Sequence, residues 1–177
     1  NELLAENNRR IALYFRQYDR ITGDPQGEVV PRSAFSWNGT PLYLPVTMTE
    51  QPIYRELCHT TTQAFLRKYT GECTPRQEKQ FFEGFIRDRL RHDFEFWAYT
   101  CVKIQDKLTK RPIPFSLNRG QRRLVAKFEE MRTAGLPVRV ILVKARQWGG
   151  STATQIYMLW LQLFHYHNWH SAIVTQY

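Results

Sequence analysis

The stretch Val138-Arg139-Val140-Ile141-Leu142-Val143-Lys144-Ala145-Arg146-Gln147-Trp148-Gly149-Gly150-Ser151-Thr152 decides the reading of the fold. Val138 to Val143 is an apolar, mostly β-branched run of strand length. Ser151 to Phe164 carries apolar residues at helical spacing, and Ala172 to Thr175 is again β-prone. Strand, helix and strand in that order predict a right-handed parallel crossover. The fold class expected is α/β, with this βαβ unit at the end of a chain whose earlier part is mainly helical.

Between the expected strand and helix lies a glycine turn that can be compared with the phosphate loop GxxxxGK(S/T). In that pattern backbone amides and a helix N-terminus hold phosphates, a lysine reaches the β and γ phosphates, and the hydroxyl binds Mg²⁺. Aligning Gly149 with the second glycine places Gly150 where the lysine belongs and Ser151 on the metal. Lys144 then falls at the first loop position, from which a long side chain can curl back over the phosphates. A Gly-Gly turn also serves as a plain strand-to-helix connection in an α/β fold that holds no nucleotide, and the pattern leaves both readings open.

Lys144-Ala145-Arg146-Gln147-x-Gly149 followed by Ser151-Thr152 resembles the deviant Walker A loop of the large terminase subunits of tailed bacteriophages, in which an early lysine or arginine replaces the usual one. Pro114-Phe115-Ser116-Leu117-Asn118-Arg119-Gly120-Gln121 is similar to the adenine-reading segment of terminases and related helicases. A glutamine amide suits an adenine edge because it donates and accepts at once. The likeness covers residues 87–177 and implies a P-loop ATPase that drives double-stranded DNA into a capsid, with ATP and Mg²⁺ as cofactors. It implies Lys144 and Arg146 as catalytic cations, the second sensing the γ phosphate. Gln121, Trp148, Gly149, Gly150, Ser151 and Thr152 become nucleotide contacts, with Ser151 also on the metal. It further implies a portal protein, a small terminase subunit and further copies of the chain as partners on the capsid, and the host cytoplasm as the place of action. The Walker B acids and the nuclease domain of such proteins have no counterpart here. The β-prone end of the chain reads as a cut in mid-sheet, so the segment is expected to bind ATP weakly and not to hydrolyse it alone.

Composition agrees with a folded, polyanion-binding chain. Of 177 residues, 42% are hydrophobic and 14% aromatic, which excludes wholesale disorder. Lys and Arg number 25 against 16 acids, a net charge of +9, and from residue 112 onward eight basic residues face two acids. Nucleic acid is the expected partner, through phosphate neutralisation. The longest apolar stretch, Ile156 to Phe164, falls short of a membrane span, which takes about 20 residues. Three dispersed cysteines suggest neither a disulfide framework nor a zinc knuckle.

The front of the chain is a region of unassigned role, residues 1–72. It reads as an amphipathic helix over 3–18, a hairpin turning at Asn38-Gly39, and a helix from Thr49 to about Tyr69 with Gly71 as its stop. A connecting helix over 73–112 starts at a Thr74–Gln77 capping box and carries a stripe through Phe82, Ile86, Leu90, Phe94, Trp97, Cys101, Ile104 and Leu108. Arg87, Arg89, Arg91 and His92 then form its solvated face, and residues 113–177 form the ATPase start. His165, His167 and His170 read as loop packing. Two rival functions are a helicase-like DNA-directed ATPase and a non-enzymatic DNA-binding or assembly module.

Overall fold

A computed structural model describes residues 2–5, 19–23, 29–143, 148–172 and 174. Residues 2–5 are helical, and the remainder of the expected 3–18 helix lies outside the described residues. The described residues mix helix and strand, with helices predominating and two small antiparallel sheets.

The hairpin forms as its turn dictates. Strands β1 (Arg32–Trp37) and β2 (Thr40–Pro45) pair with Trp37 opposite Thr40, so Asn38 and Gly39 alone make the loop. Both have positive φ, 48° and 85°, the type I′ geometry that matches strand twist. The helix expected from Thr49 to Tyr69 is instead three: α1 (Val46–Thr49), α2 (Pro52–Leu57) and α3 (Thr62–Thr70). Pro52 restarts the chain because it cannot donate a helical hydrogen bond, and Thr61 caps α3 by accepting from the Ala64 amide. Gly71 ends α3 at φ 81°, a left-handed conformation natural to glycine.

The connecting segment departs from a single helix. Helix α4 (Pro75–His92) begins at the Thr74–Gln77 capping box, then breaks at Asp93, whose side chain caps α5 (Phe94–Cys101) through the Phe96 amide. Beyond Val102 the chain turns into β3 (Lys103–Gln105), paired with β4 (Pro112–Pro114), instead of continuing to Leu108. The Asp106 carboxylate accepts from the Thr109 amide and hydroxyl, stabilising that turn. The apolar stripe is rotated accordingly: Phe82 and Leu108 are exposed, while Phe85 and Arg89 are buried. The reason is the front region, whose Trp37 stacks on Phe85 at 4.0 Å and draws that face inward.

Helices α6 (Arg119–Thr133) and α7 (Gly150–Phe164) pack with α5 around Phe94, Trp97, Phe128, Tyr157 and Trp160. The front core of Phe35, Leu44, Met48, Tyr54 and Phe85 is a separate cluster. Between the two lies a buried ion cluster. Arg32 of β1 donates to both oxygens of Asp93 at 2.7 and 2.8 Å, and Arg89 approaches the same carboxylate while donating to the Ile21 carbonyl.

The expected strand Val138 to Val143 is the main correction. Among the described residues it has no strand partner, and Ile141 and Val143 are 96% and 95% exposed. A strand is defined by a neighbour that takes up its backbone groups. The second strand expected, Ala172 to Thr175, is irregular at Ala172 and Val174 and otherwise outside the described residues. The parallel crossover is therefore not formed by the described residues. Among them, no helix is long and apolar enough to cross a membrane.

Candidate functional site

Helix α7 starts where the sequence places the phosphate loop. Gly149 has φ 78°, and Gly150 opens the helix. Glycine has no side chain to cap a helix, so the first-turn amides meet only what the surroundings supply. Ser151 and Thr152 stand exposed on that first turn, and no acid occupies it. Among the described residues the site is thus polar and uncapped, with no acid on its own helix, conditions that favour an anion.

The loop is tied to the start of α6. Asn118 and Gln121 form a capping box there: Asn118 Oδ1 accepts from the Gln121 amide and Gln121 Oε1 accepts from the Asn118 amide, each at 2.9 Å. Gln121 Nε2 donates to the Gly149 carbonyl at 3.0 Å, and Asn118 Nδ2 donates to the Trp148 carbonyl at 3.4 Å. The Trp148 ring lies against two glycines. A Cβ on Gly120 would stand 2.4 Å from the indole, and one on Gly150 would stand 2.5 Å from it. Such distances are overlaps, so the ring occupies the room that a lysine stem at position 150 would need.

Lys144 and Arg146 lie outside the described residues. Trp148, Gly149, Gly150, Ser151 and Thr152 are brought together at the start of α7, and Gln121 joins them from α6. Gln121 is only 5% exposed, with both ends of its amide engaged by the protein. Of the basic residues counted in the last third, Arg132 pairs with Glu129 and Lys127 with Glu130, each at 2.7 Å. His165 Nε2 donates to the Arg91 carbonyl at 2.9 Å, and the ring packs edge-on to Trp160. Arg89, expected on a solvated face, is buried, and His92 is half-buried against Gln51.

Behind the loop helix, Tyr157 donates to Glu129 at 2.5 Å, linking α7 to α6. Burial and the adjacent Glu129 carboxylate push the Tyr157 hydroxyl well above its ordinary pKa, so it remains a donor.

Two acids that periodicity missed carry the strongest electrostatics. Asp93 and Glu95 sit two residues apart, both buried, and titrate in opposite directions. Burial alone would raise Asp93, but the charge and hydrogen bonds of Arg32, with Arg89 and the Phe96 amide, hold it below its ordinary value. Glu95 is pushed up to about 8 by burial, which Arg32 and Arg122 only partly oppose. The Arg122 Nε lies 4.0 Å from Glu95 Oε1, which accepts no hydrogen bond among the described residues, so Arg122 opposes the effect of burial only in part. The visible signal was acids inside the aromatic run Asp93-Phe94-Glu95-Phe96-Trp97.

A pH dependence follows from Glu95. Its folded pKa, about 8, exceeds the ordinary 4.5, so its protonated form favours folding fully below 4.5. That contribution is lost as pH rises from 4.5 to 8, at up to about 1.4 kcal/mol per pH unit. Glu95→Gln, neutral and of the same shape, is expected to flatten the decline and to exceed the parent in stability at pH 9. Urea unfolding at pH 5, 7 and 9 measures it; parallel profiles for the two proteins would show that Glu95 is charged throughout.

No protein-family model, curated protein or solved structure matches the chain.

Proposed function

We propose that this chain is the ATP-binding part of a viral DNA-packaging motor, the large-terminase type of P-loop ATPase, whose hydrolysis drives double-stranded DNA into a capsid. The observation that carries the reading is the start of α7: a left-handed Gly149, a buried Gly150, exposed Ser151 and Thr152, and no acid in the first turn, directly after the Lys144–Gln147 segment. A glycine N-cap leaves the first-turn amides without a side-chain cap, which suits a phosphate cradle.

In this reading the amides from Trp148 to Thr152 hold the phosphates and the Ser151 hydroxyl faces Mg²⁺. Lys144 neutralises the β and γ charges, and Arg146 senses the γ phosphate. Bound MgATP supplies the phosphoryl group whose transfer releases the free energy for DNA movement. The chain's own contribution is positioning and positive charge, the two terms on which phosphoryl transfer depends. The basic last third supports a sequence-tolerant contact with duplex DNA, and portal, small subunit and further copies of the chain are the proposed partners on the capsid. A helicase-like ATPase would use the same loop without these capsid partners.

The test is nucleotide binding by the intact protein. Calorimetric titration with ATP, with and without Mg²⁺, is expected to show binding that Mg²⁺ strengthens and hydrolysis that duplex DNA stimulates. A protein that binds no ATP under either condition would remove the loop from nucleotide chemistry and leave a DNA-binding or assembly module.

A further inference from the structure

We propose that Gln121 and Trp148 are positioning residues of the loop, a latch that holds Gly149 and Gly150 in their helix-starting conformation by tying them to the first turn of α6. The inference rests on the nucleotide-binding reading for its consequence, though the latch itself is a matter of geometry.

Three contacts make the latch, and they come from two helix starts 28 to 30 residues apart in sequence. Gln121 Nε2 holds the Gly149 carbonyl, Asn118 Nδ2 holds the Trp148 carbonyl, and the Trp148 ring lies between Gly120 and Gly150. Glycine at both 120 and 150 is what admits the ring. The same ring accounts for the absence of a lysine at 150, whose Cβ would overlap the indole.

Gln121 does two jobs with one amide. Its oxygen completes the α6 capping box and its nitrogen fixes the loop, and with 5% exposure little of it remains for a base. A left-handed Gly149 has few intrinsic restraints, because glycine populates both signs of φ with similar ease. A partly buried hydrogen bond to its carbonyl therefore selects one of several loop shapes, and any nucleotide that uses the loop gains from that selection irrespective of its base.

Gln121→Glu separates the two jobs. A carboxylate still accepts from the Asn118 amide, so α6 keeps its cap, but it has no N–H for the Gly149 carbonyl and repels it. At pH 8 the variant is expected to bind ATP and GTP about tenfold more weakly, by the same factor for each. As pH falls and the carboxyl takes up a proton, its O–H can donate to Gly149, so the ratio of variant to parent affinity is expected to return toward one. In the nucleotide-free protein, hydrogen exchange of the 148–152 amides is expected to quicken about tenfold at pH 8, and Trp148→Ala to quicken it likewise. A loss confined to ATP would overturn the proposal and make Gln121 a base reader. Unchanged exchange in both variants would also overturn it. Faster exchange in a protein whose parent binds neither nucleotide would uphold the latch and sink the ATPase reading instead.

Discussion

Asp93→Ala is expected to lower the unfolding free energy by about 3–5 kcal/mol, the cost of leaving buried charge without its partner. Asp93 is 1% exposed and lies at the break between α4 and α5. Its carboxylate meets Arg32 from the hairpin through two hydrogen bonds, approaches Arg89 from α4, and caps α5. The Arg32 side chain is equally buried, at 2% exposure, and also donates to the Tyr43 carbonyl. Removing Asp93 therefore takes from the buried Arg32 guanidinium the carboxylate that meets it through two hydrogen bonds. Asp93→Asn keeps an acceptor for the Phe96 amide but removes the charge and sets an amide donor against Arg32, so it is expected to retain the cap, worth about 1 kcal/mol, while losing most of the ion pair. Urea denaturation followed by circular dichroism measures both, and a loss below about 1 kcal/mol for Asp93→Ala would show that the junction does not depend on this pair. The same carboxylate sets an acid limit. Its folded pKa lies below its ordinary 3.8, so its stabilisation is present above that pH and is lost as pH falls through the folded value. Asp93 thus favours folding toward neutral pH, whereas Glu95 favours it toward acid.

On the proposed ATPase reading, Lys144→Ala is expected to reduce ATP turnover by the intact protein about 10²–10³-fold, the usual effect of losing one preorganised charge-stabilising group. Lys144 precedes the described start of α7 by only a few residues, and it is the one lysine in the loop. The folded state is expected to survive, because the cores that hold α6 and α7 together are built from residues such as Phe128, Tyr157 and Trp160. Moving the lysine to its usual position is not expected to rescue activity. In Lys144→Ala with Gly150→Lys, the new Cβ would overlap the Trp148 ring at 2.5 Å and drive it from between the glycines. Steady-state turnover with a circular-dichroism control for folding decides the matter. Near-normal turnover by a folded Lys144→Ala protein would pass the role to Arg146, and rescue by lysine at 150 would show that the Trp148 ring yields easily.

The features legible in the sequence are those whose causes lie within a few residues. Asn38-Gly39 makes the hairpin turn because these two residues tolerate positive φ, and Thr74 with Gln77 starts α4 because a hydroxyl and an amide three residues apart satisfy each other's backbone groups. Gly71 stops α3, and the periodicity from Ser151 to Phe164 matches α7 to within a residue. The same locality makes Gly149-Gly150 visible as a helix start with a close backbone approach.

Tertiary structure alone decided where groups distant along the chain meet. Arg32 and Asp93 are separated by 61 residues, yet their contact fixes where the connecting segment bends. Stacking of Trp37 on Phe85 rotates the buried face of α4 and takes Arg89 inward. The Glu95 carboxyl is pushed up to about 8 because three-dimensional burial outweighs its neighbouring arginines, a balance invisible to spacing. Val138 to Val143 has the composition of a strand, but pairing is a property of two segments, and composition describes one. Gln121 reads in sequence, by resemblance, as an adenine-reading amide; the fold brings Gly149 to its nitrogen and the Asn118 amide to its oxygen. Short-range torsional and capping preferences are written into neighbouring residues, whereas desolvation and hydrogen-bond partnership depend on which surfaces close over one another.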